Sequence, residues 1–264
     1  PSGRIYHQSW DEEPVDRPDD QGKFLCNDYF GGDLEGIRQK LPYLAGLGVE
    51  VIYLNPIFEA HSNHRYNTAD YRRIDPLLGT EEDFRALCAD AKKLGMKVVL
   101  DGVFNHTGSD SVYFNREKRY GEHSGACNDP DSPYRDWYSW IHWPDSYESW
   151  WGFVTLPNVN EGCEAYQEFI CGEDGVLRKW MEAGASGFRL DVADELPDFF
   201  LEKIRTAVKS AGEDKFLLGE VWEDASNKFS YGGHRKYFMG RELDSVMNYP
   251  WRTAILRFLR LGEG

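Results

Sequence analysis

The chain has 264 residues, 41% of them hydrophobic, which is enough to bury the core of one large α/β domain. Its 45 acidic against 30 basic residues give a formal charge of −15, leaving no broad basic surface for nucleic-acid phosphates or an anionic membrane. No run approaches the roughly 20 apolar residues of a membrane span, and the first residues do not read as a signal peptide.

In chain order, residues 3–9 read as a weak first strand, and residues 34–47 as a helix with Gly48 past its end as a stop signal. Residues 49–55 form a near-continuous apolar run, as expected for a parallel strand buried on both faces. Thr80 caps a helix running to Leu94, with Glu81, Glu82 and Asp83 in its first turn, where carboxylates suit the helix dipole. Gly95 ends it and residues 96–104 are the third strand. Residues 105–162 break the rhythm with Gly, Pro, Asp, Ser and aromatic residues. A structureless loop of this length is improbable, so the segment reads as a functional insertion. Helices at 165–183 and 197–211, strands at 187–191, 216–220 and 245–247, and a last helix at 250–261 complete the order.

Alternation of strand and helix implies a parallel sheet with right-handed crossovers. The α/β class, with carboxylates at strand ends, favours a (β/α)8 TIM barrel over an open sheet. Six strands are visible, so the barrel is expected to be truncated after about six βα units, with residues 1–104 and 163–264 as the barrel and 105–162 as a domain over its active-site face. Pro1 in place of Met suggests an excised segment. Exposed strand edges would then favour a homo-oligomer or a domain-swapped dimer.

Two strand-like runs each end on a single carboxylate: Gly187-Phe188-Arg189-Leu190-Asp191 and Phe216-Leu217-Leu218-Gly219-Glu220. Retaining glycoside hydrolysis needs such a pair, a nucleophile and an acid/base, about 5 to 5.5 Å apart. Arg189, two residues before Asp191, shares its face of the strand and is expected to keep it ionised, while Val221 and Trp222 are expected to raise the pKa of Glu220. Either run alone also fits an ordinary ion pair closing a strand. Aromatic residues make up 15% of the chain, with nine Trp, and crowd between Tyr134 and Phe153. Such rings serve sugars as stacking platforms, and serve cores equally.

A third run, Asp101-Gly102-Val103-Phe104-Asn105-His106, joins these two. Together with Gly187 through Glu195, Gly219-Glu220-Val221-Trp222, Tyr66 through Tyr71, Ile74-Asp75-Pro76 and Leu156 through Asn160, it makes the chain resemble the α-amylase superfamily of glycoside hydrolases, in order and over nearly its whole length. The resemblance implies Asp191 as nucleophile and Glu220 as acid/base. It implies Arg189 and His106 as hydrogen-bonding partners of the sugar, Tyr66 as a ring stacked on it, Asp101 and Asn105 shaping the site beneath, and Trp222 and Glu195 as further substrate contacts. A Tyr beside Asn-Thr reads equally as a buried loop anchor.

Gly31-Gly32-Asp33-Leu34 and Met247-Asn248-Tyr249-Pro250 look most like the neopullulanase and cyclomaltodextrinase group, which acts on α-1,4 and some α-1,6 bonds of maltodextrins, cyclodextrins or pullulan. Asp194, Leu156 and Val159 depart from that group's usual residues. The superfamily's third carboxylate, an Asp after the seventh strand, lies past the last residue, so the segment alone is expected to be nearly inactive. An α-glucan glycosyltransferase and a non-catalytic glucan-binding scaffold are the alternatives.

No cofactor is required by this chemistry. Calcium is open, through an oxygen cage of Asp33 with Asn27 or Asp28, against the plainer reading of a solvated acidic loop. Five cysteines without close pairing read as free thiols of a cytoplasmic protein whose partner is an α-glucan, not nucleic acid or membrane.

Overall fold

A computed structural model describes residues 3–262. Helix α1 (Leu34–Gly46) starts where the Asp33 carboxylate accepts the N–H of Gly36 at 2.7 Å, and it stops two residues before Gly48, whose φ of 80° is the left-handed turn glycine supplies most cheaply. Strand β1 (Val51–Tyr53) follows. Helix α2 (Glu81–Lys93) opens with a reciprocal capping box, in which the Thr80 hydroxyl accepts from Asp83 N at 3.2 Å and the Asp83 carboxylate accepts from Thr80 N at 2.8 Å. It buries Phe84, Leu87, Cys88 and Ala91, a stripe at helical spacing. Strand β2 (Lys97–Gly102) is next, followed after a long segment by α3 (Glu164–Cys171), α4 (Val176–Glu182), β3 (Gly187–Leu190), α5 (Asp198–Ser210), β4 (Phe216–Gly219), β5 (Ser245–Val246) and α6 (Tyr249–Leu261).

The five labelled strands form one parallel sheet in the order β1-β2-β3-β4-β5. Each strand pairs with the next in sequence, so the winding never reverses and the sheet forms the arc of a half-barrel rather than a doubly wound sheet. The middle strands are the most enclosed. All four residues of β3 are buried, as are five of the six in β2.

Two expectations are corrected, and one element is new. Among the described residues the sheet has five strands, not six: the first strand survives only as Ile5–Tyr6, which pairs in parallel with Asp28–Tyr29 in a sheet of its own. His7, Gln8 and Ser9 follow it, so there is no apolar run long enough to be buried on both faces. The single helix at 165–183 is two, because Gly172 and Gly175 break it and the N–H of Gly175 turns back to the carbonyl of Gly172 at 2.9 Å. Between β1 and α2 an unforeseen antiparallel hairpin pairs Phe58–Ala60 with Thr68–Ile74, and its connection carries Tyr66. Residues 105–162 hold a short hairpin, Trp140–His142 with Ser146–Tyr147, packed around Phe114, whose ring contacts those of Tyr138, Trp140 and Tyr147.

Gly187 opens β3 between β2 and β4 with a φ of 153°, and a Cβ there would overlap the carbonyl of Phe216 on the neighbouring strand. Gly187→Ala is therefore expected to cost about 4 kcal/mol or more of unfolding free energy in urea denaturation. A loss under about 1 kcal/mol would show that the strands separate freely at this point.

Candidate active site

Strand register brings the site together. Asp101 of β2 lies opposite Arg189 of β3, Asp191 is the first residue beyond β3, and Glu220 the first beyond β4. Because side chains alternate along a strand, Arg189 and Asp191 face the same way. The Arg189 guanidinium then binds three carboxylates. Its Nη1 donates to Asp101 Oδ1 at 2.8 Å, to Asp101 Oδ2 at 3.0 Å and to Asp191 Oδ1 at 2.8 Å, and its Nη2 meets Glu220 Oε2 at 2.8 Å. All four residues are buried, with Arg189 only 3% exposed.

One cation cannot neutralise three anions, so the proton affinities separate. Asp191 is pushed up to about 7 by burial first and then by the Asp101 charge, against the pull of Arg189. Glu220 is opposed by burial too, but donors prevail and hold it below the ordinary carboxylate value: the Val192 N–H at 2.9 Å and Arg189 on Oε2, and the Tyr249 hydroxyl at 3.1 Å on Oε1. This reverses the expectation of an ionised Asp191 and a raised Glu220. Arg189 is shared rather than dedicated to Asp191, and Glu220 is held by donors, the Trp222 side chain among them, rather than raised by an apolar wall of Val221 and Trp222. Asp101, the most enclosed, is raised by burial despite Arg189 and the Tyr53 hydroxyl, which donates to Oδ2 at 2.5 Å.

His106 is buried, and burial drives its pKa down to about 4, so the ring is neutral. Its Nε2 lies 3.2 Å from the Tyr66 carbonyl and its Nδ1 3.4 Å from the Asn105 amide nitrogen, which fits one tautomer, with Nε2 donating and Nδ1 accepting. Tyr66, His106, Arg189, Asp191, Glu220 and Trp222 all line one cleft of about 610 Å3, while Asp101 and Asn105 lie buried beneath it. Glu195 stands at the rim and accepts the indole N–H of Trp151 at 2.8 Å. The three residues named for calcium have other partners. Asp33 caps α1, Asp28 accepts from Val15 N at 3.0 Å and from Asn63 at 3.1 Å, and the Asn27 amide donates to the Gly3 carbonyl.

Sequence reasoning missed Tyr53, Tyr249, Val192 and the cleft-lining Trp150 and Phe153. Tyr53 and Tyr249 carried a signal, as hydroxyls within or just beyond otherwise apolar strands that point to the same end of the sheet as the carboxylates. Val192 carried none. It adopts φ 40°, ψ 50°, a left-handed conformation that costs a β-branched residue about 1 to 2 kcal/mol, and that turn delivers its N–H to Glu220.

The chain matches known proteins over most of its length. The family described as alpha amylase, catalytic domain, matches residues 5–261. An amylopullulanase of Thermoanaerobacterium saccharolyticum is 40% identical over 96% of this chain and 21% of its own length. Neopullulanase 2 of Thermoactinomyces vulgaris is 38% identical over 89% of this chain and 38% of its own. Among solved structures, the cyclic alpha-maltosyl-(1→6)-maltose hydrolase of Arthrobacter globiformis, in complex with cyclic alpha-maltosyl-(1→6)-maltose, superposes with a TM-score of 0.75 at 34% identity, covering 88% of this chain and 49% of that one. The chain thus spans less than half the length of each of these relatives.

A carboxylate whose folded pKa is raised binds its proton more tightly in the folded state, so it subtracts stability as pH rises from the unfolded value near 4 towards 7. A depressed one acts oppositely, and its contribution is lost as pH falls below the unfolded value. Asp191→Asn is accordingly expected to stabilise the chain more at pH 8 than at pH 5 in urea melts, whereas Glu220→Gln destabilises it at both. An Asp191→Asn effect equal at the two pH values would contradict the proton assignment.

Proposed function

Because the chain belongs to the alpha-amylase catalytic-domain family, we propose that its parent protein is a retaining glycoside hydrolase acting on α-1,4 and α-1,6 glucosidic bonds of maltodextrins, cyclodextrins or pullulan. The observation that carries this reading is the single guanidinium of Arg189 holding Asp191 and Glu220, from adjacent strand ends, at the floor of an aromatic cleft. Two carboxylates fixed to one rigid fork cannot drift apart, and retaining chemistry needs them at close, constant separation.

In the first half-reaction the Asp191 carboxylate bonds to the anomeric carbon as the glycosidic C–O bond breaks, and Glu220 gives its proton to the departing oxygen. In the second, Glu220 takes a proton from water, whose oxygen bonds to that carbon and releases Asp191. Burial and the Asp101 charge raise Asp191 while donors lower Glu220, the opposite order to the one the first half-reaction uses. That step uses an ionised Asp191 and a protonated Glu220, an arrangement that differs from its opposite only in where one proton of the cluster sits. Positive charge developing at the anomeric carbon favours an ionised Asp191, and a glycosidic oxygen beside Glu220 gives its acid form a hydrogen-bond acceptor. Neutral His106 and the Tyr66 ring face the same cleft, suited to a hydroxyl-rich uncharged ligand. No helix among the described residues is long and apolar enough to cross a membrane. All five cysteines are free, which supports a reducing compartment such as the cytoplasm.

The test uses the full protein that contains this chain, with maltoheptaose, β-cyclodextrin and pullulan, reducing-end release, and NMR of the first-formed anomer. Wild type is expected to release the α-anomer. Asp191→Asn and Glu220→Gln should each lower kcat by about a thousandfold or more. Release of the β-anomer, or variants within tenfold of wild type, would refute the assignment.

A further inference from the structure

Trp151 is 65% exposed, yet it is fixed from several directions. Its backbone is left-handed at φ 49°, ψ 27°, which a non-glycine residue keeps only where its surroundings determine it. The indole N–H donates to Glu195 Oε1 at 2.8 Å. One ring neighbour, Trp150, lies nearly parallel to it at 17° with centroids 5.2 Å apart, and Trp222 meets it edge-to-face at 5.4 Å. These contacts tie the 105–162 segment to the turn after β3 and to the segment after β4, the two places that carry Asp191 and Glu220.

The arrangement has a direction. Trp150 tilts over His106 at 5.6 Å, so the rings step outward from the cleavage point through Trp150 to Trp151. Glu220, as acid, stands beside the departing oxygen, and Trp222 follows it by two residues. A ring braced against Trp222 therefore lies on the leaving-group side. Flat aromatic faces bind the C–H face of a sugar ring, and a ring already immobilised loses little freedom in doing so.

We propose that Trp151 is a specificity-determining residue of this site, a platform braced by Glu195 that receives a sugar of the leaving-group segment beyond the cleaved bond, so that glucans with an extended leaving group are preferred. This rests on the hydrolase reading above. Nothing in the cleavage itself requires Trp151, which distinguishes its role from those of Asp191 and Glu220.

The test compares, in the full protein, kcat/KM on maltoheptaose with that on α-maltosyl fluoride, whose leaving group is one atom and cannot reach Trp151. Trp151→Ala is expected to lower the value for maltoheptaose about tenfold and that for the fluoride less than threefold. Trp151→Phe, which keeps a ring but loses the N–H, should fall between wild type and Trp151→Ala on maltoheptaose. Glu195→Gln, which keeps an acceptor oxygen, should lose less than Glu195→Ala. Losses that match on the two substrates, or no loss on either, would overturn the proposal and leave Trp151 a structural residue. A wild-type protein that turns over neither substrate would overturn the hydrolase reading itself, an outcome distinct from an active enzyme indifferent to Trp151.

Discussion

One guanidinium shared by three buried carboxylates is the constraint on which this molecule is organised. A buried ion cluster is weak evidence for stability, since desolvation of the charges offsets most of their attraction, and removing one partner leaves the rest uncompensated. Here the count does not balance, with Arg189 alone against Asp101, Asp191 and Glu220. Burial raises the proton affinity of Asp101 and, with the excess of negative charge, that of Asp191, while the donors around Glu220 lower its own.

The rest of the fold serves that geometry. The three strands that carry these residues are neighbours in the sheet, and the register places Asp101 beside Arg189 without slack. A one-residue slip would turn Arg189 away from both Asp101 and Glu220, because successive side chains face opposite sides of the sheet. Gly187 permits the close approach of β3 and β4 at the opposite end of the strand. The strained turn at Val192 completes the arrangement, aiming a backbone N–H at Glu220. Helices α2 and α5 cover this sheet with apolar faces and add no charge to the cluster.

The 105–162 segment does a different kind of work. Its hairpin is held by aromatic contacts around Phe114 rather than by a long ladder of strand hydrogen bonds, so it reaches the cleft as a packed body of rings. Through Trp150 and Trp151 those rings meet His106, Glu195 and Trp222, one from each of the connections that follow β2, β3 and β4. The charged floor and the aromatic rim thus come from different parts of the chain and meet only at the strand ends.

Local sequence was sufficient wherever the physics is local. Apolar runs ended by a carboxylate marked β3 and β4, the Thr80 box marked the start of α2, and Asp101, Arg189, Asp191 and Glu220, each picked out at a strand end, lie together in the fold. The sequence was less informative where a break or a pairing depends on distant partners: the two-residue strand at Ile5–Tyr6, the split at Gly172 and Gly175, and the hairpin before α2. Tertiary structure alone decided how the charge is distributed. Whether Arg189 belongs to Asp191 or is shared, and whether Glu220 faces an apolar wall or donors, depends on Tyr53 from β1, the Val192 N–H from the turn after β3 and Tyr249 from the start of α6. A pKa is set by everything within a few ångströms in space, and sequence order reports only what is adjacent along the chain.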